Sequence, residues 1–302
     1  MKGVFYIVGP TAAGKSALAA AVAHDCGGEI VSADAFQVYA GLDLLTAKPE
    51  EQLLRMVPHH LIGTVRLTQE MDAEKFRLAA LKVMKDIRAR GKFVFVVGGS
   101  GLYVKAVAHG LPALPRGSSS LRARLDQHTR RELLVRLRQL DPEGAATIDF
   151  KNKRRLTRAV EICLLTGQPA SVQRIRWRDD DEPAGVFVFR DRVDLYKRID
   201  ARVLTMFESG VVDEVRAAGE MAVTAAKAVG LRQIGELLGG RVSEAECVAS
   251  IQQATRRYAK RQLTWFRRQT TFEPLNLSRH DSSQAIEWIS RKARLSFAQQ
   301  DD

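Results

Sequence analysis

Short apolar runs separated by amphipathic stretches organise the first third of the chain: Val4–Val8, Glu29–Ser32 and Lys92–Val97. This alternation is the βαβ rhythm of a parallel sheet. Ala17–Ala23 after the first run is helix-forming, and Ala79, Val83 and Ile87 recur at four-residue spacing before the third. The second pattern predicts a helix with Asp72 as its N-cap and Gly91 as its stop. Loops at the carboxyl ends of parallel strands form the ligand crevice. Gly9, Asp34 and Gly98-Gly99-Ser100 are therefore expected to converge on one site.

The pattern changes near Leu111. Pro112, Pro115, Gly117 and Ser118–Ser120 read as a linker, followed by a basic helical stretch from Leu121 to Leu140. Leu121, Leu125, Leu133, Leu134 and Leu137 describe its packing face. Asp141–Gly144 breaks that helix, and Asn152–Ile162 begins another that is dense in cations. Val186–Phe189 reads as a strand, and Leu195–Ser209 and Val211–Ala218 read as helices. Gly230, Gly239 and Gly240 punctuate the next segments. A last helix has Ser243 and Glu246 as its capping box and carries Ala254–Arg268. Ile251, Tyr258 and Trp265, seven residues apart, predict its buried stripe, with Arg257, Lys260, Arg261 and Arg268 projecting away.

Chemistry enters with Gly9-Pro10-Thr11-Ala12-Ala13-Gly14-Lys15-Ser16, an ungapped match to the pattern G-x-x-x-x-G-K-[ST] lying between a strand-like run and a helix-forming one. Backbone amides of such a loop wrap a di- or triphosphate at a helix N-terminus. Lys15 reaches the outer phosphates, and Ser16 offers its hydroxyl to Mg2+. The expected fold class is α/β, a P-loop NTPase-like core whose parallel sheet is flanked by helices. Residues 1–111 and 185–302 form this core, mostly helical in its C-terminal part, and 112–184 form a helical basic insertion. Kinases, NTPases and group transferases all use such a cradle.

With 302 residues and 45% apolar composition, the chain can bury a full core. Lys and Arg total 47 against 35 Asp and Glu, a net charge of +12 that favours a polyanionic partner. No acid lies between Glu246 and Glu273, so Arg257, Lys260 and Arg261 are read as contacts to a phosphate backbone. Cys26, Cys163 and Cys247 are widely spaced and odd in number, which suits core thiols in a reducing compartment. His59 and His60 point to different sides without a third ligand and are read as structural. No signal-peptide pattern precedes the first run and no apolar run approaches membrane-spanning length, so a soluble cytoplasmic protein is expected.

The residues also carry a resemblance. Gly9–Ser16, Ser32-Ala-Asp34 with Gln37-Val-Tyr39, Thr46-Ala-Lys-Pro49, Pro58-His-His-Leu61, Val97–Tyr103, Arg154–Glu161 and Ala254–Arg267 fall in the order seen in the tRNA dimethylallyltransferase family. The chain resembles that family from residue 3 to about residue 268. The resemblance implies transfer of a dimethylallyl group from dimethylallyl diphosphate to N6 of adenosine 37, beside the anticodon of tRNA, with release of diphosphate. It implies Asp34 as the base that takes the amino proton, although an Asp after a strand is more commonly a turn carboxylate. It implies that Ser100 hydrogen-bonds the reacting site or the diphosphate, and that Arg198 or Arg202 reaches the diphosphate. Ion pairs with Asp194 or Asp200 would account for these arginines nearly as well. For tRNA it points to Asp34, Ala35, Phe36 and Gln37, with Ser100, around the target base. Arg154, Arg155, Leu156, Thr157 and Arg158 are assigned to the anticodon stem-loop, with the basic insertion as a tRNA-binding arm. The target base must be turned out of its stack.

Ala35, Ala40, Leu45, Gly63 and Leu231 depart from the family's usual serine, arginine, glycine, aspartate and tyrosine, which bears on substrate recognition and not on Lys15, Ser16, Asp34 or Ser100. A P-loop kinase acting on a nucleotide or small alcohol would instead bind ATP and transfer its outer phosphoryl group. A non-catalytic RNA-binding protein would tolerate loss of Asp34. Nothing in the sequence demands a dimer, and a monomer is expected.

Overall fold

Strands covered on both faces need apolar side chains at every position, which is why these strands read as unbroken apolar runs. The computed structural model describes residues 3–112, 114, 115, 117–173 and 183–298. The chain opens with β1 (Val4–Val8), α1 (Lys15–Asp25), β2 (Gly28–Ser32), α2 (Glu51–Met56), β3 (His59–His60), α3 (Ala73–Ala89), β4 (Phe93–Gly98) and α4 (Gly101–His109). Next come α5 (Ser119–Asp126), α6 (Arg130–Leu140), α7 (Pro142–Thr147) and α8 (Lys153–Thr166). The sheet resumes with β5 (Gly185–Phe189), followed by α9 (Arg192–Glu208), α10 (Val211–Ala217), α11 (Leu231–Leu238), α12 (Glu244–Gln269), β6 (Glu273–Asn276) and α13 (Ser282–Ala298).

The six strands pair in parallel in the order β3-β2-β4-β1-β5-β6. Alternate residues serve opposite layers. Phe5, Ile7 and Phe95 pack with Leu18 of α1 and Phe297 of α13. Tyr6, Val96 and Phe187 pack with Phe76 of α3, Tyr103 of α4 and Phe266 of α12. Burying each such large side chain contributes about 1.5–3 kcal/mol. This two-sided core holds the loops at the carboxyl edge of the sheet.

Asp72 caps α3 as expected, its carboxylate accepting from the amides of Glu74 and Lys75. The buried stripe of α3, however, is Phe76, Ala80, Met84 and Ile87, with Ala79 and Val83 half-buried beside it. In α12, Ser243 and Glu246 form the capping box, and the buried residues are Cys247, Ile251, Ala259, Gln262 and Phe266. Tyr258 and Trp265 are half-buried, which corrects the expected stripe. The helix lies against both the sheet and the loops above it, so its inward face is wider than a seven-residue line. β3, β6 and α13, like the helices α2, α4 and α7, have no counterpart among the elements expected from the sequence. His59 and His60 form β3, where His59 Nδ1 lies 2.8 Å from Val57 O and His60 Nε2 lies 2.7 Å from Glu29 Oε2.

The chain forms two compact units, Met1–Ala108 with Asp180–Asp302, and His109–Asp179. Residues 174–182, near the expected end of the insertion at 184, lie outside the described residues. In the smaller unit the expected single basic helix is two, because Thr129 and Glu132 form a capping box that restarts the chain as α6. Leu125, Leu133, Leu137, Leu156 and Val160 form this unit's core. Glu161 is fully buried there and accepts from Arg122, Arg158 and the amide of Ser118. Burial opposes its charge, yet the hydrogen bonds from Arg158 and Arg122 hold its carboxyl below the usual range. Cys163 and Cys247 are buried and Cys26 half-buried, all three as free thiols.

Candidate active site

Three strand ends meet as the topology requires. Gly9 N donates to Gly98 O at 3.3 Å, Ala33 N to Val97 O at 2.7 Å, and Ser100 N to Ala33 O at 3.2 Å. Gly9 is needed by proximity, since a Cβ there would stand 2.0 Å from Val188 O on β5. The 9–16 loop leaves β1, and α1 begins at Lys15, so Thr11, Ala12, Gly14, Lys15 and Ser16 all line a cavity of 710 Å³. Asp34, Gln37, Arg198 and Arg202 line it too.

Cations hold the loop from outside. Arg198 Nε donates to Ala12 O at 3.0 Å and Arg190 Nε to Ala13 O at 2.9 Å. Lys15 Nζ donates to Pro10 O at 2.6 Å, and Arg202 Nη1 to Thr11 Oγ1 at 2.9 Å. The carboxylates that could have claimed the arginine pair are engaged elsewhere. Asp194 is taken by Arg190 and Ser278, and Asp200 by Arg256, so Arg198 and Arg202 both turn to the loop. Burial pushes the Lys15 ammonium down to about 8, with nearby Asp34 opposing and Arg202 adding to the shift. Burial also lowers Arg202, with Asp34 opposing and Arg198 reinforcing. Lys15, Arg198 and Arg202 outnumber the one carboxylate, Asp34, that opposes the shifts, and such an excess of cations suits an anion's place.

A pH dependence arises from Lys15. Below about 8 it is protonated, and an anion in the cavity raises its pKa further. Diphosphate affinity is therefore full below that pH and falls as pH rises through it. Calorimetry near pH 8 in buffers of different ionisation enthalpy should show proton uptake on binding; a pH-independent affinity from 7 to 9 would contradict this.

Asp34 follows β2 and is a turn carboxylate in its local bonding. Its Oδ1 accepts from Phe36 N at 2.9 Å and Gln37 N at 3.3 Å. The carboxyl nevertheless lines the large cavity and also a second one of 60 Å³, whose walls include Leu45, Val203, Phe207, Ile234 and Ile251. Thr11, Thr46, Ala47, Arg202 and Met206 border both, so the loop cavity and a smaller pocket walled mainly by aliphatic and aromatic side chains join beside Asp34. Phe36 lines the apolar pocket, tilted on the Tyr258 ring at 6.5 Å.

Other candidates are placed behind this junction. Ser100 Oγ accepts from Ala35 N at 2.8 Å and is hydrogen-bonded to the Tyr258 side chain, so it braces the Asp34 turn. Neither cavity includes it among its lining residues. The Gln37 amide donates to Thr46 O and Ala47 O, holding the 42–47 segment. Gln262, Arg190 and Glu214 are given no role by the sequence reading, which places Tyr258 only in a buried stripe. Gln262, 6% exposed, accepts from Thr11 N at 2.8 Å and donates to Gly99 O at 2.9 Å, clamping two of the three loops together. The signal for it was a polar residue among the inward positions of α12. Glu214 of α10 accepts from the amides of Asp43, Leu44 and Leu45. Lys48 pairs with Asp43, and its Nζ lies 3.3 Å from where Gly63 would carry a Cβ, the position of the family's usual aspartate.

The RNA candidates divide by exposure. Arg257, Lys260 and Arg261 are exposed on α12, with the Arg261 guanidinium 5.6 Å from the centroid of the Tyr258 ring. Arg154 and Arg155 are exposed on α8. Leu156 is fully buried and Thr157 is 6% exposed, which removes both as contacts: consecutive helical residues cannot share one face. Arg158 is occupied by Glu161 and by Pro115 O.

A two-faced parallel sheet with a G-x-x-x-x-G-K-S loop after its first strand defines a P-loop NTPase-like protein, with Asp34 placed where two cavities join. Residues 37–269 match the family model described as IPP transferase. The chain is 39% identical to a tRNA dimethylallyltransferase of Akkermansia muciniphila, over 93% of this chain and 96% of that one. It is 42% identical to one from Geobacter sulfurreducens, covering 87% and 88%. A full-length tRNA isopentenylpyrophosphate transferase from Bacillus halodurans superposes with TM-score 0.73 at 32% identity, covering 100% and 98%. A eukaryotic dimethylallyltransferase acting on tRNA shares the fold, with TM-score 0.78 at 24% identity, covering 96% and 80%. The chain belongs to the IPP transferase family and is an enzyme that transfers prenyl groups.

Proposed function

We propose that this enzyme transfers the dimethylallyl group of dimethylallyl diphosphate to N6 of adenosine 37 in tRNA, releasing diphosphate. One observation carries the reading beyond family membership: Asp34 stands where the cation-held loop cavity meets a small apolar pocket. A prenyl diphosphate has that polarity, an anionic head and a five-carbon apolar tail. A kinase could seat a base or an acceptor in the same recess, and it is the family match that disfavours that reading.

The bond from N6 to the allylic C1 forms as the C1–oxygen bond breaks. Asp34 accepts one N6 proton, which matters because the amino lone pair is delocalised into the purine. Negative charge grows on the departing diphosphate, where the loop amides, Lys15, Arg198 and Arg202 stabilise it. Ser16, in the first turn of α1 and lining the cavity, supplies one hard oxygen of the kind Mg2+ takes. Among the described residues no group of three or more His, Cys, Asp or Glu could hold a metal, so Mg2+ would draw most of its ligands from phosphate oxygens and water. When bound, the ion adds positive charge against the leaving group.

For tRNA, exposed Arg154 and Arg155 of the helical unit and Arg257, Lys260 and Arg261 of α12 contact backbone phosphates, and the Asp34–Gln37 turn borders the flipped base. The enzyme acts as a monomer in the cytoplasm; among the described residues no helix is long and apolar enough to cross a membrane. The test is label transfer from dimethylallyl diphosphate, with Mg2+, to an anticodon stem-loop with adenosine at position 37. Label on that RNA, and none on the same RNA lacking the adenosine, is expected. No label together with ATP turnover would favour the kinase.

A further inference from the structure

The apolar pocket beside Asp34 is bounded by a residue at which this chain departs from its family's usual glycine. We propose that Leu45 sets the length of the prenyl donor this enzyme accepts, which rests on the donor reading above. The pocket measures 60 Å³, less than a tenth of the 710 Å³ loop cavity it joins, so a tail lying in it has little space to lengthen into.

Leu45 is 7% exposed and packs among Val203, Val211, Ile234 and Ile251. Its Cδ1 would lie 2.7 Å from a Cβ on Gly230, whose φ of +105° suits glycine, so Leu45 occupies the space left by that missing side chain. The backbone cannot retreat from the pocket. Glu214 accepts the amides of Asp43, Leu44 and Leu45 at 2.6, 2.8 and 2.8 Å, and Gln37 holds the next two carbonyls. The opposing walls are α9, α10, α11 and α12, close-packed against one another through the same cluster, and such interiors yield little. A longer tail must therefore displace Leu45 or stay out.

Purified wild type, Leu45→Ala and Leu45→Val are compared with dimethylallyl diphosphate and homologues lengthened by one, two and three carbons at the tail. In wild type each added methylene lowers kcat/KM by about tenfold or more. Leu45→Ala, which removes three carbons, should bring the longest homologue to at least the efficiency of dimethylallyl diphosphate, and Leu45→Val should gain only the one-carbon homologue. Affinity for inorganic diphosphate, unchanged in both variants, reports an intact fold. If Leu45→Ala loses that affinity, Leu45→Val decides the matter. Wild type that transfers dimethylallyl while the variants keep its donor ranking overturns the role of Leu45. Wild type that transfers no dimethylallyl overturns the donor reading instead.

Discussion

Replacing Asp34 with asparagine should lower kcat for prenyl transfer by about 10²–10⁴-fold, the range for loss of a positioned general base. Asparagine keeps the shape and the Oδ1 acceptor, so the bonds from Phe36 N and Gln37 N that build the turn survive. What is lost is a group that can take the N6 proton. Ground-state binding has no reason to weaken, because removing a negative charge beside Lys15 and Arg202 favours an anionic ligand. KM for the donor should hold or fall, and equilibrium binding of tRNA should be retained. The same substitution supplies an internal check on geometry. Asp34 holds Lys15 up against burial, so in its absence the pH at which diphosphate affinity falls should move below about 8. Single-turnover rates at saturating donor and RNA measure the effect on chemistry; a kcat close to wild type would remove Asp34 from the mechanism.

The sheet and the phosphate-type loop were legible because each is written in contiguous residues. β1, β2 and β4 are buried on both faces and read as apolar runs, and Gly9–Ser16 needs no distant partner to be recognised. β3 is two histidines, and β6 contains Pro274 and two exposed positions, so neither carries a strand pattern of its own. Pairing with an existing edge makes them strands. Gln262 illustrates the harder class. It meets Thr11 and Gly99, 251 and 163 positions away, and no local spacing reports such a contact. Arg198 and Arg202 were legible as candidates but not as ligands of the loop, since nearby carboxylates compete for them in the sequence. Arg190 and Arg256 occupy those carboxylates. The 154–158 segment failed in the opposite way, as a run of five residues treated as one surface although the helix buries its middle.

Lys15→Met should lower kcat by about 10²–10³-fold, the usual loss when one preorganised donor to a developing anion is removed. The effect belongs to the transition state more than to donor binding, because the charge on the diphosphate is largest once the C1–oxygen bond has broken. Arg198 and Arg202 remain on the loop at Ala12 and Thr11 and can still hold a ground-state anion. Stability separates this role from a structural one. Folding already works against the Lys15 charge, through burial and the neighbouring Arg202, so removing it should leave the ligand-free protein as stable as wild type or more so. A protein that melts no lower than wild type, yet gains less stability from added diphosphate and turns over far more slowly, is the expected result. Unimpaired kcat in Lys15→Met would shift the leaving-group role to the arginine pair, and Arg198→Ala and Arg202→Ala would then carry the large loss.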